Sequence, residues 1–252
     1  NDVKKAGVTQ AVDSAVLNAN IPASLRDNEK HWFGLTTRAR VIVASRERVA
    51  KGTIRSYEDL AGSAAANKIC TRSGKHAYTV ALTAAMMRHH GDAKAQAWLA
   101  GVKRNLARRP QGNDRAQVKA IKEGVCDLAV INHYYMGKML SNPDQKAWAD
   151  SVYIIFPNQE GRGTHLNVSG VALTKAAPNK ANAIKLMEWL SNDEAQRIYA
   201  QDNSEYPVKV GVQWSKLLRS FGKFKADTLG LSEIADKRAG ASKLADKVNY
   251  DG

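Results

Sequence analysis

Residues 126–137 read Cys-Asp-Leu-Ala-Val-Ile-Asn-His-Tyr-Tyr-Met-Gly. The run Asp127–Ile131 is short and apolar, and it predicts a buried strand. Two phenols, Tyr134 and Tyr135, follow it across Asn132-His133. In α/β proteins, ligand-binding side chains gather at strand ends. An adjacent pair of phenols does little for a core, because each buried hydroxyl needs a partner. The alternative is that one ring packs and the other faces water.

Working outward, strands and helices alternate. Arg38–Ser45 (RARVIVAS) reads as a buried strand, as do Val152–Phe156 and Leu166–Leu173. Helices are predicted over Val80–His90, over Asp92–Ala100 with Asp92 as its cap, and over Arg115–Glu123 with Asp114 as cap and Gly124 as stop. Asn179–Leu190 carries helical spacing at Ala183, Leu186, Met187 and Leu190. Ser191-Asn192-Asp193 breaks it before a short helix, Glu194–Gln201. Phe221–Gly252 is polar and helical in composition. This alternation predicts an α/β protein with largely parallel sheets.

The 252 residues suffice for one large domain or two modest lobes. No apolar run approaches the roughly 20 residues of a membrane span. The start, Asn1-Asp2-Val3-Lys4-Lys5, lacks a leader's apolar region, so the chain is either cytoplasmic or missing a leader. A net charge of +14 favours an anionic partner or simply a soluble, self-repelling surface. The basic residues are dispersed, and no basic stretch carries interleaved aromatics, so no nucleic-acid partner is expected. The two cysteines, Cys70 and Cys126, are too far apart for a CxxC motif. Each sits beside a predicted strand. They are either bridged, which implies an oxidising compartment, or two buried thiols.

No nucleophile elbow, phosphate loop or dinucleotide fingerprint is present, and the chain is not expected to be an enzyme. His89-His90 point in different directions on a helix and do not form a joint metal site. His31, His76, His133 and His165 show no ligand spacing. Phenols suit a different metal. With a pKa near ~10, a free phenol is a poor ligand at neutral pH. A hard, highly charged cation such as ferric iron displaces the proton and holds phenolate oxygen, whereas softer divalent ions select imidazole or thiolate.

Several segments together resemble one family: His31-Trp32-Phe33-Gly34-Leu35, Arg38-Ala39-Arg40-Val41-Ile42-Val43 and Ala107-Arg108-Arg109-Pro110-Gln111-Gly112-Asn113-Asp114. Asn132-His133-Tyr134-Tyr135-Met136-Gly137-Lys138, Phe156-Pro157-Asn158-Gln159, Gly163-Thr164-His165-Leu166-Asn167-Val168-Ser169-Gly170 and Tyr206-Pro207-Val208 complete the ordered set. It is similar to the periplasmic ferric-iron-binding proteins of bacterial iron ABC importers, the bacterial transferrins, from about Val12 onward.

The resemblance implies a two-lobe α/β solute-binding fold of type II. Residues 1–37 and 166–210 would belong to lobe 1, and residues 38–165 and 211–252 to lobe 2. Family members begin with a further strand-helix-strand section, so lobe 1 is expected to be incomplete here, without the iron ligands that section supplies in many members. The resemblance makes Tyr134 and Tyr135 ligands of Fe(III) and adds Tyr78 as a third. It assigns a synergistic anion, carbonate or another small anion, to Arg38, Arg72 and Ser73, with Arg40 a close rival of Arg38. It implies a Cys70–Cys126 disulfide. The protein would be a monomer in the periplasm, or extracytoplasmic on a lipid anchor, delivering iron to an inner-membrane ABC permease. The alternative is a same-fold binding protein for a polyamine or an organic anion, since one fold hosts many ligands.

Overall fold

In the computed structural model, which describes residues 2–252, the apolar run expected from Arg38 begins earlier and forms the strand Phe33–Ser45. In chain order the strands are β1 (Thr9–Gln10), β2 (Phe33–Ser45), β3 (Ile69–Cys70), β4 (Leu128–Asn132), β5 (Val152–Ile155), β6 (Leu166–Val171), β7 (Leu173–Thr174) and β8 (Tyr206–Pro207). Ala39 and Val41–Ala44 of β2 are wholly buried, as a strand covered on both faces requires.

The chain forms two compact units. The first comprises residues up to Arg38, Val168–Gly222 and Gly230–Ser232. The second comprises Ala39–Asn167, Lys223–Leu229 and Glu233–Gly252. Residues 211–222 thus fall in the first unit, where the expected boundaries gave them to the second lobe. Trp214 packs its ring 4.5 Å from that of Tyr206, and Leu218 is wholly buried.

The first unit is built on a core that includes Val12, Leu17, Ile21, Phe33, Leu35 and Met187. Buried Gln196 ties its elements together. Its amide donates to the carbonyls of Leu35 (2.9 Å) and Leu190 (3.1 Å), and its oxygen accepts from the Val208 N–H (2.8 Å). A buried amide with donors and acceptor all engaged carries no desolvation penalty beyond what those bonds offset.

The second unit centres on the strand order β3-β4-β2-β5. The expectation of largely parallel sheets is corrected here. β3 and β4 are parallel, but β2 runs antiparallel to both β4 and β5. β3, β4 and β5 therefore point one way, as alternation with helices dictates, and β2 is inserted against them. Alternation in sequence gives the direction of successive strands, not which earlier strand lies between them.

Two helix starts also differ from expectation. Helix Asp92–Arg104 is preceded by Gly91 at φ 82°, a conformation glycine reaches without strain, so Gly91 and not Asp92 occupies the cap position. Helix Asp114–Lys122 is capped by Asn113, whose side chain accepts from the Ala116 N–H at 3.1 Å. Asp114 is thereby free for another role. At the far end of that helix, Gly124 takes φ 77°. The Gly124 and Val125 N–H groups reach back to Ile121 and Ala120, the Schellman closure that glycine was expected to provide.

Candidate functional site: a cluster of three phenols

The site grows from the parallel pair β3 and β4. Their register, Ile69↔Leu128 and Cys70↔Ala129, brings both carboxyl ends to the same edge. β3 continues into the loop Thr71–His76 and then helix Ala77–His90, which carries Tyr78 in its first turn. β4 continues through His133 into helix Tyr134–Leu140, which opens on the tyrosine pair. Cys70 and Cys126 are joined in the expected disulfide, with Cα atoms 5.9 Å apart, so the two strands are tied covalently beside the site.

The three phenols meet. The Tyr134 side chain interacts with those of Tyr135 and Tyr78. The Tyr134 and Tyr135 ring centroids lie 4.1 Å apart at 33°. Tyr134 is 8% exposed, whereas Tyr135 and Tyr78 are half-buried. Burial raises the Tyr134 pKa well above the ordinary phenol value, and its contacts with Tyr135 and Tyr78 push it the same way. That phenol keeps its proton until a cation close by makes the phenolate the better state.

Positive charge surrounds the cluster. The Arg40 and Arg72 guanidiniums lie 5.5 and 5.4 Å from the Tyr78 ring centre, and the Lys138 ammonium lies 5.3 Å from that of Tyr134. The His76 ring meets Tyr78 edge-on at 4.7 Å, and its Nδ1 accepts from the Tyr78 N–H at 3.2 Å. Burial, then the Arg72 charge, holds the His76 pKa below its usual value.

Asp114 organises the arginines. Its wholly buried carboxylate accepts from Arg40 Nη1 at 2.7 Å, from Arg72 Nη1 at 3.1 Å and from the Asn132 N–H at 2.7 Å. One anion against two guanidiniums leaves a local surplus of positive charge. Among the described residues, Nε of Arg40 and of Arg72 has no hydrogen-bond partner. These are donors that an oxyanion could satisfy.

Of the residues singled out from sequence, Tyr78, Tyr134, Tyr135 and Arg72 come together. Ser73, next in the loop, donates its hydroxyl to Asp251 at 2.6 Å. Arg38 is half-buried and ends the first unit's opening segment. His89 and His90 bond separate carboxylates, Asp227 and Glu58, each at 2.7 Å. Among the described residues no three His, Cys, Asp or Glu side chains gather into a metal-holding group. Sequence reasoning missed Asp114, which it read as a cap, as well as His76 and Asp251. The only signal for Asp114 was the Asn113-Asp114 doublet, two possible caps for one helix.

Residues 1–220 match the family model described as bacterial extracellular solute-binding protein. Iron uptake protein A1 of Synechocystis is 42% identical over 246 residues, which are 97% of this chain and 68% of that protein. The apo ferric ion-binding protein A of Pasteurella haemolytica superposes with a TM-score of 0.96 at 51% identity, covering 100% of this chain and 79% of the other. Trichodesmium IdiA (FutA), solved in complex with iron and citrate ligands, superposes with a TM-score of 0.95 at 43% identity, covering 99% and 79%.

Proposed function

Because the chain belongs to the bacterial extracellular solute-binding protein family, we propose that it captures ferric iron outside the cytoplasm and delivers it to the permease of an ABC importer. It is a binding protein of two-lobe type II fold, not an enzyme. The observation that carries the iron reading is the interaction of Tyr134 with both Tyr135 and Tyr78 at the carboxyl ends of β3 and β4. Three phenolates offer three hard anionic oxygens, a donor set that suits Fe(III) and neutralises its charge. The names of the relatives, an iron uptake protein and ferric-binding proteins, support the same reading.

A small anion completes the coordination. The citrate of the Trichodesmium structure supports such a partner. Carbonate is the candidate for this chain, with Arg72 and Arg40, whose Nε donors have no partner among the described residues, as its guanidinium contacts. The Cys70–Cys126 bridge supports residence in an oxidising compartment, the periplasm, where the protein would act as a monomer.

The test is colour. Iron-phenolate bonds absorb visible light by charge transfer, so the purified protein loaded with ferric salt should be coloured, and Tyr135→Phe should weaken and shift the band. A loaded protein that stays colourless would overturn the iron reading in favour of an organic solute.

A further inference from the structure

The loop between β3 and helix Ala77–His90 carries two donors of the kind an oxyanion takes, the Ser73 hydroxyl and the Gly74 backbone N–H. Both are held by a single carboxylate. Ser73 Oγ donates to Asp251 Oδ2 at 2.6 Å, and Gly74 N donates to Asp251 Oδ1 at 2.7 Å. Each carboxylate oxygen has its own donor, a bidentate grip that a free oxyanion would reproduce. The Lys75 N–H donates to Ser73 Oγ at 3.1 Å, which leaves the hydroxyl proton for Asp251.

The position of Asp251 is fixed by its neighbour. Tyr250 is 2% exposed, and its hydroxyl is bonded to Thr71 Oγ1 at 3.0 Å. Its ring lies flush against the loop. A Cβ at position 74 would stand 2.7 Å from Tyr250 Cδ1, so only glycine allows this approach. The Tyr250 N–H returns to the Ala245 carbonyl at 2.9 Å, anchoring the segment to helix Leu231–Lys247. Asp251, itself exposed, is therefore held at the donor pair by a neighbour that is buried and hydrogen-bonded.

We propose that Asp251 is a built-in anion that occupies the Ser73–Gly74 donor pair and so determines which exogenous anion this loop admits. An anion that needs that pair has to displace a tethered carboxylate, whereas one that needs only guanidinium donors does not. Asp251 thus narrows the anion partner to species the arginines hold unaided. The consequence for iron rests on the reading of the phenol cluster as the ferric site. Occupancy of the donor pair does not.

The experiment titrates inorganic phosphate into iron-free protein by calorimetry. Asp251→Ala should bind phosphate about tenfold more tightly than the parent, the scale of one or two charge-assisted hydrogen bonds regained. The double variant Asp251→Ala/Ser73→Ala should lose that gain. Asp144→Ala, which removes the same charge from an exposed position on helix Pro143–Asp150, should show no gain. Asp251→Ser takes the place of Asp251→Ala if the latter does not fold. Unchanged phosphate affinity in Asp251→Ala overturns the proposal, as does a gain that survives Ser73→Ala or appears equally in Asp144→Ala. Because no iron is present, a colourless loaded protein and a failed phosphate response are separate outcomes.

Discussion

The Asp114 carboxylate and the Arg40 guanidinium form an ion pair at 2.7 Å, with side chains 0% and 2% exposed. Arg72 shares the same carboxylate at 3.1 Å. Removing one partner of a buried pair strands the other's charge, and that loss generally costs more than the pair contributes. Asp114→Asn should therefore destabilise the folded protein by about 3–5 kcal/mol. Urea unfolding measures it. A loss below about 1 kcal/mol would mean that solvent reaches Arg40 and that the pair is not a buried one.

The phenol cluster makes a prediction about protons. Burial and its phenol neighbours raise the Tyr134 pKa, so in the iron-free site Tyr134 keeps its proton at neutral pH. Ferric binding through Tyr134 must expel that proton. Iron uptake should weaken as pH falls and should release protons in a pH-stat. Tyr134→Phe should reduce the release by about one proton and weaken iron binding by about 100-fold or more, beyond the usual cost of a mere supporting residue. Proton release equal to the parent's would remove Tyr134 from the ligand set.

Much of this site was legible in the chain because its signals are local. The run Leu128–Ile131 ends in an asparagine, a histidine and two phenols, and a buried strand with reactive groups at its end needs no tertiary information to be noticed. Tyr78 came through resemblance alone, and the Cys70–Cys126 bridge stood as one of two readings until resemblance favoured it; the register of β3 on β4 supplies the physical reason the two segments meet. What stayed hidden depends on long-range pairing. Asp114 looks like a cap until β2 lies beside β4 and Arg40 arrives opposite Asn132. Asp251 lies 178 residues from Ser73, and nothing near either residue points to the other. The antiparallel insertion of β2 is hidden for the same reason, since strand order is a property of the sheet and not of the segment.

The disulfide closes a separation of 56 residues and locks β3 to the segment leading into β4. In the chain-entropy account such a loop contributes about 4 kcal/mol by restricting the unfolded state. Cys70→Ser/Cys126→Ser should lower the unfolding free energy by about that amount while leaving the visible iron band in place, because neither sulfur is among the proposed ligands. Loss of the band with the fold intact would show that the bridge positions the phenols as well as stabilising them.

Acid should weaken the fold through His165. The imidazole is 3% exposed, and among the described residues its Nε2 has no hydrogen-bond partner. Burial pushes its pKa down to about 4, against an opposing pull from Asp227 and with smaller help from Arg40, His89 and Arg162. In the unfolded chain the value returns to about 6.5. Between these limits the unfolded state takes up a proton that the folded state refuses. The contribution is therefore complete above about pH 6.5, shrinks as pH falls and is exhausted near pH 4, a total of about 3 kcal/mol. Glu58, whose pKa is held down to about 2, acts in the same direction but mainly at lower pH. Urea midpoints at pH 7 and pH 4.5 should differ accordingly, and His165→Gln, which cannot titrate, should flatten that interval. If the variant loses stability with acid as steeply as the parent, another group is responsible, and the buried imidazole is not the acid-sensitive element of this unit.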